Sequence, residues 1–203
     1  MKPTLYYFFV ILSFISCNER AQSVHDVIDY CNEPTNGLRA DYAIGEYRFE
    51  VIYRPVEIIV AQEIKSLSLT GQQIDSVRQL FDGIDYFLLR MQKKGTEVET
   101  SFARDPIRFG EVNTYLATKV GRDIKLVHAG DTILAKATIH TRTFGSSQST
   151  DLLIAFESSL ISKSGEFEVL FDDKIFGTGL HMFDFEINNI KSIPSLDLTK
   201  LIL

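Results

Sequence analysis

The sequence has no tryptophan, two cysteines, five prolines and twelve glycines among its 203 residues. So few cysteines exclude a small domain held together by disulfides, and so little proline and glycine excludes a collagenous or low-complexity chain. Basic residues are outnumbered as well, because 21 Lys and Arg face 27 Asp and Glu for a net charge of −6. Nucleic-acid-binding domains present a basic patch or stripe, so we expect no nucleic-acid partner. The length and the 45% hydrophobic content are typical of one globular domain.

The sequence also lacks a hydrophobic run long enough to cross a membrane as a helix. The uncharged apolar stretch at 5–15 has 11 residues, whereas a membrane-spanning helix needs about 20. This stretch follows a short positive start at Lys2 and stops directly before Ser16 and Cys17. Such an arrangement is typical of a cleaved secretory signal peptide, whose hydrophobic segment has ~7–15 residues.

The end of this segment resembles the lipobox of bacterial lipoproteins. Residues 14–17 read Phe-Ile-Ser-Cys, which places a small residue directly before a cysteine, although Phe14 differs from the aliphatic residue that lipoboxes favour there. The resemblance implies cleavage between Ser16 and Cys17, and it implies that Cys17 carries a diacylglycerol and an N-terminal acyl chain. Several acyl chains anchor a protein stably, whereas one chain binds only marginally. Asn18 is not the Asp that retains lipoproteins at the inner membrane of enteric bacteria, which favours the outer membrane.

The resemblance covers about a tenth of the chain and implies an envelope protein whose partner is membrane lipid. Two other interpretations stay open, a signal peptide that is cleaved without lipidation and an uncleaved N-terminal anchor. A secreted chain without lipid could join Cys17 to Cys31 in a disulfide, whereas a lipidated Cys17 leaves Cys31 without a partner. Cys31 precedes Asn32, Glu33 and Pro34, so we interpret it as a spare thiol in a linker.

Behind the predicted signal peptide, 1–16, the sequence divides into a polar segment and a domain. Residues 17–43 lack sustained hydrophobic periodicity, and we interpret them as the lipidated cysteine and its tether. Residues 44–203 combine helical and strand patterns, which predict a single α+β domain. Many short strands, with helices among the first of them, predict a mainly antiparallel sheet or sandwich with about three short helices in the first half of the domain.

The three helices are predicted from hydrophobic spacing and capping residues. Residues 56–67 have helical spacing, although a continued strand stays open as an alternative. The second helix, over 70–83, begins with a capping box formed by Thr70 and Gln73. The third, over 105–121, begins with an Asp at the N-cap and a Pro at the first helical position.

The strands are predicted from alternating hydrophobicity and from turn residues. Residues 84–91 are apolar on both faces, which is typical of a central strand, and a weaker strand follows at 98–102. Gly130-Asp131 fits a two-residue hairpin turn between strands at 124–128 and 132–144. Further strands are predicted at 47–53, 152–157, 167–171 and 181–190.

The sequence has little that is typical of catalysis or metal binding. The four histidines lack the close spacing of a local zinc site, and we interpret His128 and His140 as partly exposed strand residues. Asp172 and Asp173 stand before Gly177, where a turn is favoured over a calcium site. Neither a Gly-x-Ser-x-Gly motif nor a phosphate-binding glycine loop is present. We therefore expect no metal and no cofactor, and we assign no catalytic residue.

Three classes of function remain. The anchor, the tether and the missing catalytic motif favour a non-enzymatic accessory or assembly lipoprotein of the cell envelope, with an envelope protein as its partner. A glycan- or peptide-binding module is the first alternative, because aromatic strands and the loop at 145–150 could present a binding surface. A hydrolase of unrecognised family is the second alternative, which only the acidic residues leave open. Core packing is the simpler explanation of the aromatic residues Tyr47, Tyr53, Tyr86, Phe87, Phe183 and Phe185.

Overall fold

A computed structural model describes residues 23–67, 71–196 and 198. The predicted signal peptide, its cleavage position and Cys17 lie outside these residues. Within them no helix is long and apolar enough to span a membrane. The helices of the described residues are α1 Val24–Asn32, α2 Val56–Leu67, α3 Gly71–Leu80, α4 Pro106–Thr118 and α5 Ile187–Lys191.

The strands of the described residues form two antiparallel sheets. They are β1 Arg39–Ile44, β2 Tyr47–Arg54, β3 Ile84–Lys93, β4 Ile124–His128, β5 Asp131–Leu134, β6 Ala137–Thr141, β7 Thr150–Glu157, β8 Glu166–Asp173 and β9 Gly179–Glu186. The five-stranded sheet has the order β1-β2-β3-β7-β6, and the four-stranded sheet has the order β5-β4-β8-β9. The fold is therefore α+β, with two separate sheets.

The predicted fold, a mainly antiparallel sheet or sandwich with about three short helices, is wrong. Helices α2, α3 and α4 lie in the first half of the predicted domain, but α1 precedes that domain and α5 follows the last strand. Five helices therefore accompany two sheets in the described residues. The helix α1 is hard to predict because it has only nine residues, and it buries only Val27 and Cys31 completely. The five residues of α5 are too few to show a helical period.

Residues 23–43, which are predicted from the sequence to belong to the tether, form α1, which packs on the five-stranded sheet, and most of β1, which is the edge strand of that sheet. Ser23 and Asp26 form a capping box at the start of α1, in which the Ser23 hydroxyl accepts from Asp26 N–H at 3.2 Å and the carboxylate accepts from Ser23 N–H at 2.9 Å. Cys31 is a buried core residue rather than a spare thiol in a linker. Burial raises the pKa of this thiol to about 11, so the thiol stays protonated and unreactive at neutral pH.

The two sheets face each other across an aromatic core centred on Phe87 of β3. The ring of Phe87 lies 5.9 Å from the rings of Phe167 and Phe185 in the four-stranded sheet. Within its own sheet it lies 5.3 Å from the ring of Tyr53 and 5.8 Å from that of Phe156. Five of the six aromatic residues considered for ligand binding are buried: Tyr53, Tyr86, Phe87, Phe183 and Phe185.

The predicted return strand at 132–144 splits into β5 and β6, which belong to different sheets. The turn before it consists of Ala129 and Gly130, because His128 pairs with Asp131 across the hairpin. Both turn residues have a positive φ, 51° and 87°, as a type I′ turn requires. The hairpin is therefore confirmed, but its turn begins one residue earlier than predicted.

Helices at 56–67 and 105–121 are confirmed as α2 and α4, and α3 occupies most of the predicted 70–83. Thr70, the predicted N-cap of α3, lies outside the described residues. Two strand predictions are wrong. Residues 100–102 form a 3₁₀ turn, and residues 187–190 belong to α5.

Candidate functional site

A cavity of about 360 Å³ lies on the outer face of the five-stranded sheet, the face turned away from the aromatic core. Helices α1 and α2 pack on β2 and β3 and form one wall, and the loop at 142–149 between β6 and β7 forms another. The volume lies in the range of about 300–1,000 Å³ that is typical of small-molecule sites. Its apolar lining consists of Ile28, Ile58, Ile59, Leu88 and Leu153.

The strand register places a polar row across this face. Cross-strand pairing aligns Glu50, Arg90, Asp151 and Thr141 on neighbouring strands, and alternation turns all four side chains to the outer face. Arg90 holds Asp151 with two hydrogen bonds, from Nε at 3.0 Å and from Nη2 at 2.9 Å. Ser149 donates to the same carboxylate at 2.9 Å. The charges of Arg90 and Asp151 therefore cancel each other in the cavity.

Arg54 lines the cavity without such a partner. It is only 8% exposed, and its Nη2 donates to Asn32 Oδ1 at 3.1 Å. Its Nη1 is buried and has no hydrogen-bond partner among the described residues. A buried donor without an acceptor destabilises a fold by ~1–3 kcal/mol, and more when it is charged. Arg54 therefore gives the cavity one positive charge that forms no ion pair in the described residues, although the charge of Asp151 acts on it across the cavity.

The surroundings of Arg54 explain how the fold tolerates this charge. Asn32 and Cys31 belong to the last turn of α1, and the C-terminal end of a helix favours a nearby cation. Burial lowers the pKa of Arg54, but a guanidinium remains protonated at neutral pH. The side chain is thus a permanent cation held at a helix end.

A buried carboxylate positions the loop at 142–149, whose residues Thr143, Ser147 and Ser149 line the cavity. Glu97 is completely buried and accepts from the backbone N–H of Gly145 at 2.7 Å and that of Ser147 at 3.3 Å. The Thr143 hydroxyl donates to the same carboxylate. The shape of this cavity wall therefore depends on Glu97.

A second buried carboxylate, Glu99, lies beside Glu97. It accepts from the Thr150 hydroxyl and lies 3.2 Å from His140 Nε2. Burial alone would raise the pKa of Glu99, but the hydrogen bonds with His140 and Thr150 outweigh it and lower this pKa. His140 is a half-buried strand residue, as predicted, but its side chain is buried against Glu99. His128 lies in the other sheet, with its Nε2 at 3.0 Å from Ser164 O.

The acidic pair considered for calcium lies away from this cavity, at the end of β8. Asp172 pairs with Lys174 at 2.5 Å. Asp173 accepts from three backbone N–H groups of the following turn at 2.7–2.8 Å and from the Thr178 hydroxyl at 2.6 Å. In the part of the chain that the structure describes, no group of His, Cys, Asp and Glu is arranged to hold a metal ion.

The chain matches no protein-family model, and no curated protein or solved structure is detectably similar to it. Inferences about its function therefore rest on the chemistry of the cavity. The cavity combines one buried cation that forms no ion pair in the described part of the chain, several hydroxyl groups and an apolar side. This combination suits a small anionic molecule that also carries hydrogen-bonding groups.

The residues of this site were only partly predictable. The loop at 145–150 was singled out in the sequence as a binding element, and it forms one wall of the cavity. Arg54 was not singled out, because its position in β2 indicates only which face of a strand it occupies. Its hydrogen-bond partner Asn32 lies in α1, 22 residues earlier in the chain, and a strand pattern does not record such a contact.

Proposed function

We propose that the folded part of the chain is a ligand-binding module that holds a small anionic molecule, a carboxylate or a phosphate, in the cavity over the five-stranded sheet. The carrying observation is the guanidinium of Arg54, which lines the cavity without an ion-pair partner among the described residues and whose Nη1 lacks an acceptor. An anionic oxygen would supply both the acceptor and the counter-charge in a charge-assisted hydrogen bond. The cavity adds hydrogen-bonding side chains around this position: Gln62, Thr141, Thr143, Ser147 and Ser149.

The energetic cost of burying the charge of Arg54 supports this proposal. A buried ion without its partner is unfavourable, and apolar replacement of buried ions is often neutral or stabilising. Residues that lower stability are found where function needs them. Arg54 fits this pattern, since Asn32 Oδ1 is the only acceptor recorded for its guanidinium in the described residues. The proposal is a narrower form of the glycan or peptide alternative, because sugar acids and peptide C-termini both carry a carboxylate.

Replacing Arg54 by methionine should weaken binding of an anionic ligand roughly ten-fold or more, because a charge-assisted hydrogen bond is lost. The free energy of unfolding without ligand should not fall, since methionine has a similar length and removes an uncompensated charge. The measurement is calorimetric titration of the full chain with glucuronate and with inorganic phosphate, together with urea unfolding. Glucuronate binding alone assigns a carboxylate ligand, and phosphate binding alone assigns a phosphate ligand.

The matched control is Arg48→Met. Arg48 lies on the same strand and the same face as Arg54, but it is exposed and pairs with Asp41 and Glu50. Its replacement should leave anion binding unchanged. Glucose serves as the neutral counterpart of glucuronate. The proposal fails if neither anion binds, if glucose binds as tightly as glucuronate, or if Arg54→Met binds both anions like the unchanged protein.

We also propose that this module is a non-enzymatic accessory protein of the bacterial cell envelope, anchored through lipid on Cys17 as the lipobox resemblance implies. Support comes from the sequence at 14–17 and from the position of α1. That helix begins at Val24, and the few residues between it and Cys17 span at most about 20 Å when extended. The ligand cavity would therefore stay close to the membrane surface.

Replacing Cys17 by serine should abolish labelling with a palmitate analogue and release the protein from the membrane fraction, because serine offers no thiol for the diacylglycerol. Cys31→Ser is the control and should keep the label, since Cys31 is a buried core residue. Metabolic labelling in a bacterial host, followed by fractionation, measures both. Persistent labelling of the Cys17→Ser protein would exclude the lipid anchor on that cysteine.

A further inference from the structure

The four-stranded sheet has an exposed outer face that carries large apolar side chains. Leu134, Leu180 and Met182 are 61%, 58% and 61% exposed. Cross-strand pairing places Leu134, Lys125, Leu170 and Met182 in one row across the sheet. Scattered apolar residues on a surface are normal, but a contiguous exposed group marks an interaction site.

Two acidic pairs lie beside this apolar row. Glu166 stands directly opposite Glu186, and Glu168 stands directly opposite Asp184, on the same face of β8 and β9. Like charges directly opposite each other destabilise a sheet. None of these four carboxylates forms an ion pair within the part of the chain that the structure describes. We call these residues and the apolar row together the acidic face.

The five-stranded sheet treats its outer carboxylates differently. Asp41 and Glu50 pair with Arg48, and Asp151 pairs with Arg90. Each of these three carboxylates thus has an arginine partner within the fold, and Glu157 of β7 pairs with Lys136. On the acidic face Lys125 lies in the neighbouring row, but no ion pair in the described residues joins it to these four carboxylates, which leaves them available to cations of another molecule.

The four carboxylates also line a groove of about 620 Å³ that runs across β4, β8 and β9. Its other lining residues include Val127, Gly130 and Asn189, so it extends from the β4–β5 turn to α5. Arg39 also lines the groove, but its guanidinium pairs with Glu50 of the five-stranded sheet. The described residues here are not arranged as a metal site. A groove that crosses several strands offers room for an extended chain with several charges.

We propose that the acidic face binds a segment of another protein that alternates lysine or arginine with apolar residues. Its cations would pair with Glu168, Asp184 and their neighbours, and its apolar side chains would pack on Leu180 and Met182. Anionic lipid headgroups are repelled by this face, and a second copy docking through the same face would oppose carboxylate to carboxylate. Charge complementarity of this kind also accelerates encounter between the partners.

The test uses the full chain and a short synthetic peptide of alternating lysine and leucine, with binding measured by fluorescence anisotropy. Glu168→Gln combined with Asp184→Asn should weaken binding roughly ten-fold, because two interfacial charges are removed. The double variant should fold, since it relieves a like-charge pair. Leu180→Ser combined with Met182→Ser should also weaken binding. Raised salt should weaken binding to the unchanged protein, as expected for exposed charges.

The matched control removes two negative charges elsewhere. Glu63→Gln combined with Asp75→Asn changes the net charge equally, but these residues lie on α2 and α3, beside the other sheet. This control should bind the peptide like the unchanged protein. The proposal is overturned if the peptide does not bind, if a peptide with glutamate in place of lysine binds equally, or if the control and the acidic-face variant bind alike. Association with anionic vesicles in place of the peptide would overturn it as well.

Discussion

Replacing Phe87 by alanine should lower the free energy of unfolding by about 3–5 kcal/mol, as is typical for large aromatic residues in a core. The buried ring contacts aromatic rings of both sheets, at 5.3 Å from that of Tyr53 and at 5.9 Å from those of Phe167 and Phe185. Each sheet is held by its own ladder of hydrogen bonds, so neither sheet can move to fill the space that the ring leaves. Urea unfolding of the full chain, followed by circular dichroism, measures this loss.

The control for Phe87→Ala is Phe144→Ala, the same substitution at a side chain that is 86% exposed. Surface substitutions of this kind change stability by at most about 0.5 kcal/mol. If both variants unfold at similar urea concentrations, the contacts between the sheets do not hold the fold together. The slope of the unfolding free energy against urea concentration should stay unchanged in Phe87→Ala. In that case the substitution has weakened packing in the folded state and has not altered the unfolded state.

Elements defined by local signals are the ones that the sequence predicts. The helix α4 begins at an Asp that caps it, since Asp105 accepts from the backbone N–H of Ile107 and Arg108 at 3.1 Å. The central strand β3 is apolar on both faces because one face packs on the four-stranded sheet and helices lie over the other. Each signal is contained in about ten neighbouring residues. Both elements can therefore be predicted without knowing how the rest of the chain folds.

Elements defined by distant contacts are the ones that the sequence does not predict. Alternation continues through 132–144, yet the chain leaves the four-stranded sheet after Leu134 and joins the other sheet at Ala137. The central pairing of Leu89 with Leu152 joins β3 to β7, which are separated by a helix and three strands. The assignment of strands to sheets is therefore a property of tertiary pairing, which hydrophobic periodicity does not record.

The candidate site also combines features that local sequence signals predict with features that depend on distant contacts. The loop at 145–150 stands out locally because it is rich in glycine and serine, and it reaches the cavity. Arg54 and Glu97 are charged residues that a sequence assigns to the surface, but the fold buries both. Their burial depends on α1 and α2 in one case and on the loop at 142–149 in the other. Glu97 finds its partners 46–50 residues further along the chain, and Arg54 finds its partner, Asn32, 22 residues earlier, so local patterns record neither contact.

Replacing Glu97 by alanine should lower the free energy of unfolding by about 3 kcal/mol, because it removes the buried charged acceptor of three hydrogen bonds in the loop at 142–149. Gly145 N–H and Ser147 N–H lose the carboxylate that holds them at 2.7 Å and 3.3 Å, and the Thr143 hydroxyl loses the same partner. The loop at 142–149 should therefore loosen. Urea unfolding measures the stability, and hydrogen exchange of the Gly145 and Ser147 amides measures the loop.

Glu97→Gln and Glu111→Ala are the two comparisons for this variant. Glutamine keeps one acceptor oxygen, so its loss of stability should lie between that of alanine and that of the unchanged protein. Glu111 is exposed on α4 and pairs with Arg108, so removing it should change stability little. If Glu97→Ala is no less stable than Glu111→Ala, the buried carboxylate does not hold the loop.

Glu97→Ala and Arg54→Met separate the shape of the cavity from its charge. Arg54→Met removes the cation while the loop keeps its acceptor, so it should lose anion binding without losing stability. Glu97→Ala keeps the cation but releases Thr143 and Ser147 from their positions in the cavity wall, so it should lose stability and weaken anion binding together. If Glu97→Ala retains full affinity for the anion although its loop amides exchange faster, the ligand is held by the sheet and helices alone, and the loop is not part of the site.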